Sequence, residues 1–260
     1  MDLGIKGKRA IICASSKGLG KAAAIKLAEA GVHVTLNARS PETLKATAEE
    51  IHNRYGVAVK AVAADITTDE GRAAALDAEP SPDILINNAG GPPPGLWSDW
   101  GKEAWEHAVN SNMLTPILLT TAVLPGMIER GWGRVVNITS GSVKSPIPQL
   151  GLSNSARAGL TGFVGGTARQ VARHGVIMNN VLPGSHNTDR IEGLMSAIAR
   201  QKNITPEAAR AEAEAANPTG GFGSPEDFGA ICAFLCSQFV GYMVGQNVLL
   251  DGGAFNSTMG

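Results

Sequence analysis

The chain has 260 residues, 43% of them hydrophobic and 17% charged, with a formal net charge of −1. That length suits one large α/β domain with a well-buried core. The near-neutral balance supplies no basic field for nucleic acid or an anionic membrane, and no apolar run approaches the about 18–20 residues of a membrane span.

The first residues, Met1 to Lys8, lack the apolar core of a signal peptide, so a cytoplasmic location is expected. Residues 10–14 read as a short buried strand, and a helix follows through Ala22, Ala23, Ala24, Leu27 and Ala28 to a stop at Gly31. Between them lies the turn Ala14-Ser15-Ser16-Lys17-Gly18-Leu19-Gly20. Strand, small-residue turn and helix N-terminus form the geometry that binds a pyrophosphate, because backbone N–H groups must reach the phosphates unobstructed. Two glycines alone are a weak signal; a strand–helix connection without a ligand has the same pattern.

Residues 32–38 read as a second strand ending at Arg39. In a dinucleotide fold this end meets the adenosine ribose, where an acid accepts from the 2′-hydroxyl and a basic residue favours a 2′-phosphate. Asn37-Ala38-Arg39-Ser40 has no acid and one arginine, and Lys17 falls near the same place. The alternative is that both are solvated surface charges. The expectation is NADP(H) over NAD(H).

A helix is expected over 41–55, capped by Ser40, with Pro41 in its first turn. A strand over 57–63 precedes Asp65-Ile66, and a short helix spans 69–79. The buried strand 83–86 runs into Asn87-Asn88-Ala89-Gly90-Gly91 and a Pro/Gly-rich loop. Residues 102–128 read as mostly helical, with Pro116 and Pro125 as kinks or breaks. Strands over 134–138 and 176–182 flank a long helix over 153–174. Helices over 189–201, 206–216 and 225–236 and a last strand over 247–250 complete the chain. The alternation argues for a doubly wound parallel sheet in one domain, residues 1–260. Cys13, Cys232 and Cys236 read as buried free thiols; Cys232 and Cys236 lie a helical turn apart with no third ligand nearby, so no metal is expected.

In order and spacing, the glycine turn, Asp65, Asn87-Asn88-Ala89-Gly90, Asn112, the segment 133–140, Pro183-Gly184 with Thr188, and Asp251-Gly252-Gly253 resemble the short-chain dehydrogenase/reductase family over nearly the whole chain. The resemblance implies a single Rossmann domain of about seven parallel strands, associated as a homotetramer or homodimer. It implies that Ala14, Ser16, Lys17, Gly18, Leu19 and Gly20 hold the pyrophosphate, with Ala14 where the family usually has its first glycine. It further implies that Asp65 and Ile66 meet adenine, Asn88, Ala89 and Gly90 the adenosine side, and Pro183, Gly184 and Thr188 the nicotinamide carboxamide and phosphates. Ser140 matches the serine that holds the substrate oxygen, and Asn112 the asparagine that supports a water chain. A buried helix asparagine bonded to backbone is the plain alternative for Asn112.

The pattern then breaks. The family's tyrosine and lysine fall at Ser153 and Arg157, inside Ser153-Asn154-Ser155-Ala156-Arg157-Ala158-Gly159-Leu160, which keeps the rest of the helix start. The remaining tyrosines, Tyr55 and Tyr242, do not replace the missing acid by position. A serine hydroxyl is a far weaker acid than tyrosine, and arginine stays charged, so it binds but does not shuttle a proton. Losing a positioned general acid costs about 10²–10⁴ in rate.

Two readings follow. In the first, the chain is an NADPH-dependent carbonyl reductase or alcohol dehydrogenase, 3-oxoacyl reductase-like. Ser140 and Ser153 would polarise the carbonyl, Arg157 would bind the ribose and stabilise the oxyanion, and water or His186 would deliver the proton. The alternative for His186 is a loop histidine facing solvent. In the second reading the fold binds NADP(H) without redox chemistry, or serves a non-redox enzyme. The largely intact glycine turn favours the first. The substrate expected is a small to medium carbonyl or alcohol, walled by Pro92, Pro93, Pro94, Leu96 and Trp97 and a lid around 189–223.

Overall fold

The computed structural model describes residues 1–258. Seven parallel strands run β1 (Arg9–Ile12), β2 (His33–Ala38), β3 (Val59–Ala63), β4 (Ile84–Asn87), β5 (Gly133–Ile138), β6 (Val176–Pro183) and β7 (Asn247–Leu250). Their order in the sheet is β3-β2-β1-β4-β5-β6-β7. The chain winds outward from β1 to one edge, returns to β4, and winds to the other edge. That reversal leaves a crevice beyond the carboxyl ends of β1 and β4, where ligands bind in open α/β sheets.

The helices are α1 (Gly18–Glu29), α2 (Pro41–Tyr55), α3 (Asp69–Ala78), α4 (Lys102–Val109), α5 (Thr115–Glu129), α6 (Gly151–Val171), α7 (Asp189–Lys202), α8 (Pro206–Ala215) and α9 (Pro225–Leu235). They cover both faces, so the central strands are apolar on both sides. In β1 the two faces part residue by residue: Ala10 and Ile12 join the core with Leu27, Leu44 and Phe228, while Ile11 joins Leu85, Leu119 and Leu160 across the sheet. Thr68, Thr205 and Ser224 accept from helix N–H groups at the starts of α3, α8 and α9. Ser40 does not cap α2 as expected; its hydroxyl is engaged by Glu42 and Thr43 side chains, and Pro41, which has no N–H, begins the helix.

One row of polar residues crosses the carboxyl half of the sheet. Asn87 Nδ2 donates to Asn137 Oδ1 at 2.9 Å, Asn137 Nδ2 to Asn180 Oδ1 at 3.1 Å, and Asn180 Nδ2 to Asn247 Oδ1 at 2.8 Å. These four asparagines are in direct register on β4, β5, β6 and β7.

The 102–128 segment departs from expectation at its prolines. Pro116 lies in the first turn of α5 and Pro125 inside α5, and the helix runs through both. The irregularity falls instead at Asn110–Leu114, a single π-helical turn joining α4 to α5. The joined run Lys102–Glu129 spans 28 residues and is long and apolar enough to cross a membrane, contrary to the sequence expectation. Half of its apolar window is buried within the fold, as in a core helix.

Candidate active site

The glycine turn starts with a residue that is not glycine but adopts a glycine-like backbone. Ala14 has φ of 48° and Gly18 has φ of 58°. At Gly20 a Cβ would lie 2.3 Å from Ala14 O and 2.8 Å from Asn88 Nδ2, so only glycine lets α1 begin this close to β1. A Cβ on Gly18 would meet nothing nearer than Thr188 Cγ2 at 3.8 Å, so that face of the turn is open. The turn is braced from outside: Asn88 Nδ2 donates to Ala14 O at 3.3 Å, and Thr47 Oγ1 to Ser16 O at 3.0 Å. An open, glycine-lined cradle at the N-terminus of α1 suits a pyrophosphate.

Lys17 and Arg39 are both exposed beside this cradle. Lys17 Nζ lies 3.7 Å from Asp189 on the first turn of α7. Arg39 directly follows β2 and makes no ion pair among the described residues. Asp65 accepts at Oδ1 from the Thr67 N–H and hydroxyl, which hold its carboxyl below the ordinary value, with a smaller contribution from Arg39. The Ile66 side chain is buried in the core, so its backbone alone faces a ligand. Leu19 lines the cavity described next, while Asn88 is turned toward the glycine turn and Gly90 is exposed after β4.

A cavity of about 680 Å³ opens at the carboxyl ends of β5 and β6. Ser140, Ser153, Arg157, Pro183, Gly184, His186 and Thr188 all line it. Ser140 Oγ accepts from Ser142 N–H at 3.1 Å, and Ser153 Oγ from Arg157 Nε at 3.2 Å. Each serine oxygen is thus oriented through an accepted bond, and each hydroxyl proton is left to donate. Arg157 is 5% exposed. Its Nη1 donates to Ile138 O at 2.9 Å and Thr139 O at 3.0 Å, and its Nη2 lies 3.5 Å from Ala89 O. Every acceptor is neutral. Burial, and secondarily Arg190, pull the guanidinium down to about 10, so it remains a cation at neutral pH.

Asn112 sits at the centre of the π-helical turn and is 3% exposed. Asn112 lines a second, water-sized cavity of about 10 Å³ together with Asn87, Ser111 and Thr115, and the Asn112 and Asn87 Oδ1, Ser111 Oγ and Thr115 Oγ1 atoms are buried. None of these four atoms has a protein partner, and Arg157 and Asn88 also line the space. Buried polar atoms in a cavity of this size suit one bridging water. The family resemblance located Asn112; the π-helical turn that aims it has no compositional signature. The asparagine row ending at Asn87 was also missed, although asparagine recurs near the end of each central strand.

His186 is not a solvent-facing loop residue. It is 7% exposed, with Nδ1 3.3 Å from Gly184 O and its ring edge-on to Phe228 at 5.1 Å. On its other side it packs so closely on Gly223 that a Cβ there would lie 2.8 Å from Nε2. Burial lowers its pKa, keeping the ring neutral.

The parallel doubly wound sheet, the glycine-lined turn at its switch point and the serine-lined cavity beside it define a nucleotide-binding Rossmann domain. The chain belongs to the short chain dehydrogenase family, whose model matches residues 8–198. It is 34% identical to the 3-oxoacyl-(acyl-carrier-protein) reductase FabG of Aquifex aeolicus, over 98% of this chain and 100% of that one. It is 32% identical to the FabG of Pseudomonas aeruginosa, again over 98% and 100%. Among solved structures, L-sorbose reductase from Gluconobacter frateurii, complexed with NADPH and L-sorbose, superposes with a TM-score of 0.94 at 29% identity, covering 99% of this chain and 100% of that one. YwfH, an NADPH dependent reductase involved in bacilysin biosynthesis, gives 0.91 at 25% identity, covering 97% and 100%. These relatives support a nicotinamide-dependent oxidoreductase.

Proposed function

We propose that the chain is an NADPH-dependent reductase of small carbonyl compounds whose site works with Ser153 and Arg157 in place of a tyrosine and lysine. The carrying observation is that two donor-ready serine hydroxyls and a buried cation line one cavity next to the glycine turn. In this reading Gly18 and Gly20 admit the pyrophosphate, Lys17 and Arg39 favour a 2′-phosphate, and Asp65 with the Ile66 backbone takes adenine. Ala89 and Gly90 line the adenosine side, and Pro183, Gly184 and Thr188 close over the nicotinamide end. When bound, the reduced nicotinamide supplies the hydride.

The protein's own groups handle the charge that develops on the substrate oxygen. Ser140 and Ser153 donate to it, and Arg157 adds a positive charge in a low-dielectric setting, where such stabilisation is largest. Neither serine is acidic enough to give up its proton near neutral pH, and the guanidinium holds its own. The neutral, wedged His186 is a poor acid as well, which favours water as the proton source. Asn112 and its neighbours supply a polar site for such a water beside Arg157. Residues 189–223, with α7 and α8, act as a lid over the cavity within a single domain. The half-exposed Leu114 and Leu118 on the α4–α5 run suit a homodimer or homotetramer, and the three buried thiols suit a reducing cytoplasm.

The test is a titration with NADPH and NADH followed by a carbonyl screen read by loss of NADPH absorbance. NADPH binding about tenfold tighter than NADH, together with turnover, supports the reading. Full turnover in both Ser140→Ala and Arg157→Ala would sink it. NADPH binding without turnover on any carbonyl would favour a redox-silent binding protein.

A further inference from the structure

The charge balance of the large cavity is one-sided. Arg157 is buried on its floor with only neutral acceptors. Arg190, on the first turn of α7, reaches across from the other wall and lays its guanidinium over Gly91, where a Cβ would lie 2.3 Å from Nη1. The two arginines therefore address one backbone segment, Arg157 at Ala89 O and Arg190 at Gly91. They are close enough that Arg190 depresses Arg157 further. Neither forms an ion pair among the described residues. Asp251, the one acid lining the cavity among those residues, is spent on the Gly253 and Phe255 N–H groups. Two like charges line one cavity with no carboxylate paired to either among the described residues, an arrangement that a bound anion relieves. The Arg157 N–H groups are already engaged by Ser153, Ile138, Thr139 and Ala89, so the paired donors that match a planar carboxylate are those of Arg190, which makes no hydrogen bond among the described residues. The remaining wall mixes the apolar Leu150, Ile191, Leu194 and Phe255 with polar residues such as Ser145 and Asn217.

We propose that the substrate is a carboxylate-bearing carbonyl or hydroxy compound with an apolar chain, its carboxylate bound by the Arg190 guanidinium with the buried charge of Arg157 in the same cavity. The proposal rests on the cavity being the substrate site of the reductase described above. The other source of such an anion is the cofactor's phosphates, since Leu19 of the glycine turn and Thr188 beside it line the same cavity as Arg190; titration with and without NADPH distinguishes the two.

The probes are octanoate and its neutral isostere octanamide, titrated by calorimetry against the full-length protein with and without NADPH. Octanoate is expected to bind about tenfold tighter than octanamide, and Arg190→Gln, at an exposed position, to cut that preference by about threefold or more. Equal binding of the two probes, no octanoate binding, or a preference that survives Arg190→Gln would overturn the proposal. So would a drop of about tenfold in NADPH affinity in Arg190→Gln, which would make the cofactor's phosphates the anion. A failure of NADPH to bind at all is read separately in its own titration; it would remove the cofactor reading, while the probe comparison without NADPH still decides the carboxylate site.

Discussion

Replacing Arg157 with methionine separates the two roles of the buried cation. In the folded protein burial holds the guanidinium at about 10, well below the ordinary arginine value. At about 1.36 kcal/mol per tenfold, carrying the charge inside costs about 3 kcal/mol. That penalty is present at every pH below about 10, where both folded and unfolded states are charged, and fades only as pH rises from there toward the unfolded value. Arg157→Met removes the penalty but unpairs Ile138 O and Thr139 O, at about 1–3 kcal/mol each. The two effects nearly offset, so the expected net loss is about 3 kcal/mol or less, a Tm shift of several degrees. Turnover should suffer far more, falling about 10²–10³-fold as when a donor to a developing oxyanion is deleted. The assays are calorimetric melting and NADPH oxidation on the best carbonyl from the screen. Turnover within about threefold of the parent would refute the catalytic charge, and collapse of the fold would refute the offset.

Gly20→Ala should abolish measurable cofactor binding and lower stability by about 1–3 kcal/mol, because its methyl would press on Ala14 O and Asn88; fluorescence titration and melting read both. Lys17→Ala combined with Arg39→Ala should weaken NADPH about tenfold or more and leave NADH nearly unchanged, as measured by paired titrations. Burial lowers the His186 pKa, so the unfolded chain takes up that proton first. Stability from this group is therefore complete above about pH 6.5 and is lost as pH falls from there toward the lower folded value. His186→Gln should flatten that part of the stability–pH curve, measured by denaturant unfolding across mildly acidic pH.

Much of this was legible in the sequence, for identifiable reasons. Apolar runs bounded by glycine and proline announced the strands, and the alternation with helices fixed a parallel sheet, because each parallel connection needs a crossover. The family resemblance, and not composition or spacing by itself, singled out Ser140, Ser153 and Arg157, and all three line one cavity. What the resemblance could not carry was hydrogen-bond direction. Nothing in the letters says that Arg157 grips Ile138 and Thr139 carbonyls, or that Asn88 spends its amide on Ala14. The prolines misled as well. Pro116 lies just after the π-helical turn and Pro125 lies inside α5, and the helical run continues through both. The π-helical turn at Asn110–Leu114 lies just ahead of Pro116, and no pattern of residue types announced it.

The asparagine row has an electrical consequence. Every amide in it points the same way, nitrogen toward β7 and oxygen back toward β4, so four dipoles add head to tail across the sheet. Aligned amides polarise one another, and the negative end of the series is Asn87 Oδ1, on a residue that lines the small cavity with Arg157. The buried cation thus shares a cavity with the residue at the negative end of an aligned row of neutral amides, with no carboxylate beside it. A substitution at Asn247, on the far strand, would reverse or truncate that series and be felt at Arg157 without touching it.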